Sequence, residues 1–347
     1  MRLTARGDVV FSSPMVRALR RTYPEARISW FGEAHTKELI EHHSELHRVF
    51  SWDRGRWKRL LKRGRFLMVF REVLELVRGL REERFDLAID MQGMIRSGVI
   101  ALVSGARTRI VMRPKEGSHV LFDHVVDRYR NQGNPAEICS HYRYLAQELG
   151  LESGDFRMEV PLLPDDRQFA RRIIEENGLV NGFVVAIPYT TRPQKHWFED
   201  RWAGFMERVR DEFGLPTVIL GGPSDREADA RIRSMTSAEP VSLVGNTTLR
   251  QASGIIEQAR LVVGVDTGLT HIGIAFDRPT IGIWGSNIPY TETFSRKTRL
   301  LVHWLDCVPC KGNPTCDGDF TCLKLISVDE VMNAAAELIG VDSHRTA

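Results

Sequence analysis

Two stretches of this 347-residue chain combine residue types that can hold a diphosphate. The first is Thr190-Thr191-Arg192-Pro193-Gln194-Lys195-His196-Trp197, directly after the apolar run 183–187. The second is Asp266-Thr267-Gly268-Leu269-Thr270-His271, directly after the apolar run Leu261–Val265. Hydroxyl donors, one ammonium and the backbone N–H groups of a Gly-opened helix start can neutralise two phosphates without a metal. Both segments would lie at the carboxyl edge of one sheet, where open α/β sheets bind ligands. A nucleotide-type ligand is therefore the leading idea. Each residue alone has a plainer reading: Lys195 as a surface lysine, His196-Trp197 as packing, His271 as a satisfied core histidine on an apolar helix. Their joint placement is what argues for binding.

The elements needed to position these loops are legible as an alternation of apolar runs and amphipathic patterns. In the first half, helices are expected at 16–23, 66–84, 98–104 and 136–149, with Pro14 in the first turn of the earliest one. Strands are expected at 27–31, 87–90 and 108–111. Periodicity fails between Leu151 and Asp166, where Pro161 and Pro164 mark a linker. The second half restarts with helices at 167–177, 200–213, 225–235, 249–259 and 269–276, and strands at 183–187, 216–220, 241–244, 261–265 and 280–283. A last helix at 328–339 is expected to be able to pack back on the first half. Strands alternating with helices imply parallel, doubly wound sheets. The division is into 1–160 and 161–347, two Rossmann-like α/β domains facing a ligand cleft.

Composition is that of an ordinary globular protein, and no apolar run approaches the roughly 20 residues of a membrane span. The N-terminus carries Arg2, Arg6 and Asp8 without an apolar signal core, so a cytoplasmic location is expected. The formal net charge is +3, unevenly spread: residues 1–170 hold 29 Lys and Arg against 23 Asp and Glu. The excess concentrates at 54–65, seven basic residues with no acid among them. That run is either a solvated helix face or a patch for an anionic partner, a phosphorylated glycolipid or membrane surface. Aromatic interleaving is thin and no nucleic-acid motif accompanies it, so no nucleic-acid partner is expected.

The chain resembles the glycosyltransferase family 9 heptosyltransferases of lipopolysaccharide core assembly. The resemblance rests on the opening Arg2-Leu3-Thr4-Ala5-Arg6-Gly7-Asp8-Val9, on 86–93 with Arg96-Ser97, and on the two loops above. The run Thr190-Thr191-Arg192 with Lys195-His196-Trp197 is most similar to heptosyltransferase I. What the resemblance implies is a GT-B fold and inverting transfer of heptose from ADP-heptose to Kdo on a lipid A-core acceptor. It further implies a soluble enzyme that visits the cytoplasmic leaflet, peripheral to the inner membrane. Asp8 matches the family's base, a role that a carboxylate beside an acceptor hydroxyl can fill; its other reading is a helix N-cap. Lys195, with Thr190 and Thr191, would stabilise the leaving diphosphate. Thr267 and Gly268 would add backbone donors, with His271 close by. Asp266 matches the position that touches heptose hydroxyls, and Asp225 the one that holds the adenosine ribose, with a helix N-cap as its alternative. Arg56, Arg59, Lys62 and Arg63 of the basic run are the candidate acceptor contacts. Other readings are a family member with a different acceptor, such as heptosyltransferase II, a nucleotide-sugar epimerase, or a non-catalytic nucleotide-sugar-binding module.

Two features depart from that pattern. Only Met1–Thr4 precede Ala5, where relatives carry more apolar residues, so a very short first strand and a weakened anchor for Asp8 are expected. Four of the five cysteines lie in one loop, Cys307, Cys310, Cys316 and Cys322. Their spacing is compatible with a structural zinc or iron, with reduced thiols, or, least in a reducing cytosol, with disulfides. No cofactor is expected for catalysis. Asp317-Gly318-Asp319 spells the metal-binding pattern of another glycosyltransferase fold, but it falls between cysteines rather than after a strand. Cys139 reads as a core thiol.

Overall fold

All strand pairing among the described residues is parallel. Runs as apolar as Val184–Ile187 and Leu261–Val265 suit strands covered on both faces, and both are buried throughout. The computed structural model describes residues 1–127, 129, 136–288, 290–310 and 313–343. The chain separates into two units, Met1–Asn134 with Cys139–Pro161, and Pro135–Ile138 with Leu162–Ala347.

In the first unit β1 (Ser29–Glu33) pairs with β2 (Arg48–Trp52), while β3 (Leu87–Asp90), β4 (Thr108–Met112) and β5 (His124–Val126) form a second small sheet. The opening residues sit between the two sheets. Arg2 N donates to Phe31 O (3.1 Å) and Glu33 N to Leu3 O (3.3 Å) on one side. On the other, Met91 N donates to Met1 O (3.0 Å) and the terminal amino group to Ile89 O (2.6 Å). Met1–Thr4 adopt no regular strand, yet they are bonded on both flanks. The anchor of Asp8 is firmer than four residues suggest.

The second unit holds one six-stranded sheet: β6 (Val184–Ile187), β7 (Thr217–Ile219), β8 (Val241–Ser242), β9 (Leu261–Val265), β10 (Thr280–Ile283) and β11 (Thr298–Leu301). Its order, β11-β10-β9-β6-β7-β8, is that of a doubly wound Rossmann sheet. The strand order reverses between β6 and β9, whose ends are level, with Ile187 opposite Gly264. Trp202, Phe205, Met206, Ile219, Val263 and Ile281 belong to its core. So does the apolar face of the final helix, Val328–Ser343: Val331, Met332, Ala335 and Leu338 are buried there.

Strands β2, β5 and β11 were not expected from the sequence. Each is three to five residues long and partly exposed, so none has a continuous apolar run. The helix expected at 136–149 is shorter, Ser140–Glu148, because Ile138 N donates to Glu292 O (2.7 Å) instead of entering the helix.

Candidate active site

The topological switch point of the second unit brings the two diphosphate-type loops together. After β6 the chain turns back on itself: the His196 ring nitrogen Nε2 lies 2.8 Å from Thr190 O, and a short turn spans Pro193–Lys195. Trp197 is buried and donates from Nε1 to Ile326 O (2.9 Å). His196 and Trp197 are thus the loop's fastenings. They aim Lys195 across the switch, where its ammonium forms an ion pair with Asp266, the first residue after β9.

Asp266 is itself held by a buried chain of polar groups. Its Oδ1 lies 3.5 Å from His271 Nε2, and His271 Nδ1 lies 2.7 Å from the hydroxyl of Tyr290. His271 and Tyr290 are both almost fully buried. Burial opposes charge on Asp266, but His271 and then Lys195 outweigh it and hold the carboxyl below its ordinary value of 3.8. The result is a fixed cation–carboxylate pair with its lysine end partly open to solvent.

The turn that carries Asp266 depends on one glycine. A Cβ on Gly264 would come within 2.2 Å of Thr270 Oγ1, whose hydroxyl donates to Val265 O (2.7 Å). Only a residue without a side chain lets the helix Gly268–Ala275 start this close to its strand. Thr267, extended at the helix start, makes no side-chain cap. The first-turn N–H groups at Gly268 are therefore left without that acceptor, the condition under which a helix start attracts an anion. Thr190 is half-buried and Thr191 exposed at the same sheet edge.

Asp225 serves its own turn. Gly222 N donates to its Oδ2 (2.7 Å), so the carboxylate closes the short turn Pro223–Asp225. It stands at the N-cap position of the helix Arg226–Ser234 but makes no side-chain cap there, so the capping alternative is not realised in that form. It follows β7, the neighbour of β6, and Gly221 beside it admits no Cβ because Tyr189 lies 2.5 Å from that position. Asp8, in the first unit, is held by two neighbours. Ala5 N donates to its Oδ2 (3.1 Å) and Arg2 forms an ion pair with it, while 38% of the Asp8 side chain stays exposed. Arg2 is otherwise buried and donates to Met91 O (2.6 Å). Asp8 is the third residue of the helix Arg6–Ser12 and bonds back to its N-cap, Ala5, so it is not itself the N-cap, and part of its carboxylate stays open.

The description of glycosyltransferase family 9 (heptosyltransferase) matches residues 73–318. This chain belongs to glycosyltransferase family 9. Among curated relatives, lipopolysaccharide heptosyltransferase 1 of Pseudomonas aeruginosa is 23% identical over 315 residues, 89% of this chain and 84% of that protein. Among solved structures, a family 9 glycosyltransferase from Veillonella parvula superposes with a TM-score of 0.82 at 18% identity, covering 97% of this chain and 95% of that one. The E. coli ADP-heptose lps heptosyltransferase II gives 0.75 at 21% identity, covering 99% and 98%. The fold is GT-B, as the resemblance implied.

Of the acceptor candidates in this family 9 chain, Arg56 is already engaged: its Nε and Nη2 donate to Glu72 (3.1 and 2.9 Å), which also accepts from Trp57 Nε1 (2.7 Å). Arg59, Lys62 and Arg63 are exposed and form no ion pair among the described residues. The four loop cysteines are free thiols. Burial first, then the charges of Cys307, Cys316 and Cys310, push the Cys322 thiol up, so the four act on one another. Among the described residues, however, no three His, Cys, Asp or Glu side chains are gathered as a metal cage. Cys139 is buried, and desolvation raises its thiol far above the ordinary value.

Sequence reasoning missed Tyr290, the partner of His271, and Arg2, the partner of Asp8. It also missed Gln92, whose side-chain oxygen accepts from Leu3 N (3.1 Å) and Thr4 N (3.2 Å). Gln92 lay inside the segment that carried the resemblance, so a signal was present. Tyr290 stands in an irregular stretch with no periodicity to mark it.

Proposed function

We propose that this protein is an inverting heptosyltransferase that moves heptose from ADP-heptose to an anionic, lipid-anchored acceptor, Kdo on a lipid A-core precursor. The observation that carries the reading is the Lys195–Asp266 pair at the switch point of the second unit's sheet. ADP-heptose is the donor named for the E. coli relative of the same fold. Lys195, the Thr190 and Thr191 hydroxyls and the N–H groups at Thr267 and Gly268 would take the charge that develops on the diphosphate. Asp266, kept ionised, would accept from sugar hydroxyls, and Asp225 from the ribose while capping its turn. Asp8 would accept the proton of the acceptor hydroxyl as that oxygen bonds to the anomeric carbon and ADP departs. Arg59, Lys62 and Arg63 are proposed as contacts for acceptor phosphates or carboxylates, and the enzyme as a cytoplasmic one that meets its acceptor at the inner membrane.

A panel of nucleotide sugars, scored by ADP release with and without lipid acceptor, tests the reaction and separates it from an epimerase or a mere binder. Acceptor-dependent release with ADP-heptose alone is expected. Asp8→Ala should abolish turnover, a loss of at least about 100-fold for a positioned base, with ADP affinity unchanged; full activity in that variant would remove Asp8 from the mechanism.

The cysteine loop is proposed as a structural zinc or iron site that has no part in the reaction. Burial and the neighbouring cysteines oppose charge on the Cys322 sulfur, which a bound cation would relieve; the loop as described would have to draw together to hold one. Elemental analysis of the purified protein should find about one metal per chain by that reading; none would leave the loop as reduced thiols.

A further inference from the structure

Among the described residues, six of the 18 exposed large apolar side chains fall within residues 61–74: Leu61, Phe66, Leu67, Met68, Phe70 and Leu74. They belong to two helices that pack on each other, Arg54–Lys62 and Phe66–Glu82. On the longer helix Phe66, Phe70 and Leu74 recur every fourth residue, and Leu67, three residues before Phe70 and seven before Leu74, lies on the same side. The opposite face is the one that packs inward, through Val69, Gly79 and Leu80. This helix is therefore apolar on two faces, and only one of them is covered. Leu67 is 84% exposed and Phe70 61%, more than packing against the unit's own surface would leave. Apolar patches of this kind mark interaction sites rather than ordinary surface.

Charge selects the partner. Lys58, Arg59, Lys62 and Arg63 ring the near end of the patch, and none has an ion pair among the described residues. Arg71 and Arg78, along its flank, are each tied to the glutamate four residues on. An apolar stripe bordered by unpaired cations matches an anionic bilayer, where phosphates lie above acyl chains. No described helix is long and apolar enough to cross a membrane, so the contact is with the surface.

We propose that the helix pair 54–82 docks the enzyme on anionic lipid, with Phe66, Leu67, Phe70 and Leu74 at the headgroup–acyl boundary and the free cations on lipid phosphates. This deepens the proposed function, and takes its purpose from the lipid-anchored acceptor given there: the docked enzyme meets that acceptor in the plane that holds it.

The test is co-sedimentation of the full chain with vesicles of phosphatidylcholine alone, or mixed with phosphatidylglycerol, at low and high salt. The expected result is partitioning at least about tenfold stronger to the anionic vesicles, weakened by salt. The double variant Leu67→Glu, Phe70→Glu should lose about tenfold or more of that binding, with the melting temperature and ADP affinity of the parent. Equal binding to neutral vesicles, no binding by the parent, or undiminished binding by a folded variant would overturn the proposal. So would a concentration-dependent dimer that the double variant dissolves while vesicles stay bare, since the patch would then be covered by a second copy. Salt-sensitive, variant-sensitive docking without heptosyl transfer would sustain this inference and fell the functional reading alone; transfer without docking would do the reverse.

Discussion

Asp266 decides how the donor loops behave at the residue scale, because three other groups are arranged around its charge. Lys195 and His271 hold its carboxyl below 3.8 despite burial, and Tyr290 fixes the far side of His271. A depressed carboxyl stabilises the folded state fully above its unfolded value, and the contribution fades as pH falls through the lower folded value. Asp266→Asn removes the charge and leaves Lys195 in a half-buried position with no counter-ion. Breaking such a pair costs about 3 kcal/mol when the partner stays buried; here the lysine can turn toward water, so about 1–2 kcal/mol is expected. Urea titrations of parent and variant should differ by that amount at pH 7 and converge only as pH falls below 3.8, through the lowered folded value. A stability gap that ignores pH would show that the pair is not what holds the turn.

At the scale of elements, β9, the turn after it and the helix Gly268–Ala275 act as one unit, because Gly264 lets Thr270 sit against the strand. Gly264→Ala forces a methyl to within 2.2 Å of Thr270 Oγ1 and 3.0 Å of Ile187 Cβ. Overpacking of a full core typically costs about 1–3 kcal/mol; the upper half of that range is expected here, together with weaker ADP binding as the helix start shifts. The double variant Gly264→Ala, Thr270→Ala should cost less than the sum of the two single changes, by at least about 0.5 kcal/mol. Simple additivity in denaturant unfolding would mean the clash is absorbed elsewhere. The same elements explain what the sequence could tell. Leu261–Val265 and 183–187 are uninterrupted apolar runs, so their strands and the loops after them, which carry most of the candidate site, were legible. β2 and β11 are partly exposed at sheet edges, and β11 carries Arg299; short half-exposed strands leave no period to read. Tyr290 was hidden for another reason: it matters through His271, on another element, and one-dimensional spacing carries no trace of that pairing. Arg2 stands in the same opening run as Asp8, but nothing in the spacing marks the two as an ion pair. Asp225 was visible as two readings, and its carboxylate bonds Gly222 N within its own turn where a bond to the helix Arg226–Ser234 had been the alternative.

At the scale of the whole molecule, the two units have separate cores: Phe31, Phe50, Leu80 and Ile100 in one, and the large cluster around Trp202, Phe205 and Val263 in the other. Every donor-side candidate lies in the second unit, whereas Asp8 and the basic helix pair lie in the first. Nucleotide alone should therefore stabilise one unit selectively. At about 100 times its dissociation constant, ADP contributes about 2.7 kcal/mol to whichever species binds it. Amide exchange read by mass spectrometry resolves where that energy appears, because units with their own cores open separately. Slower exchange is expected in the segments that follow β6 and β9 and in the helix Gly268–Ala275, with β1 through β4 unchanged. If ADP instead protected the first unit, or neither, the switch-point site would lose its ligand. Protection confined to the second unit would also agree with the expected unchanged ADP affinity of Asp8→Ala, since Asp8 lies in the first unit.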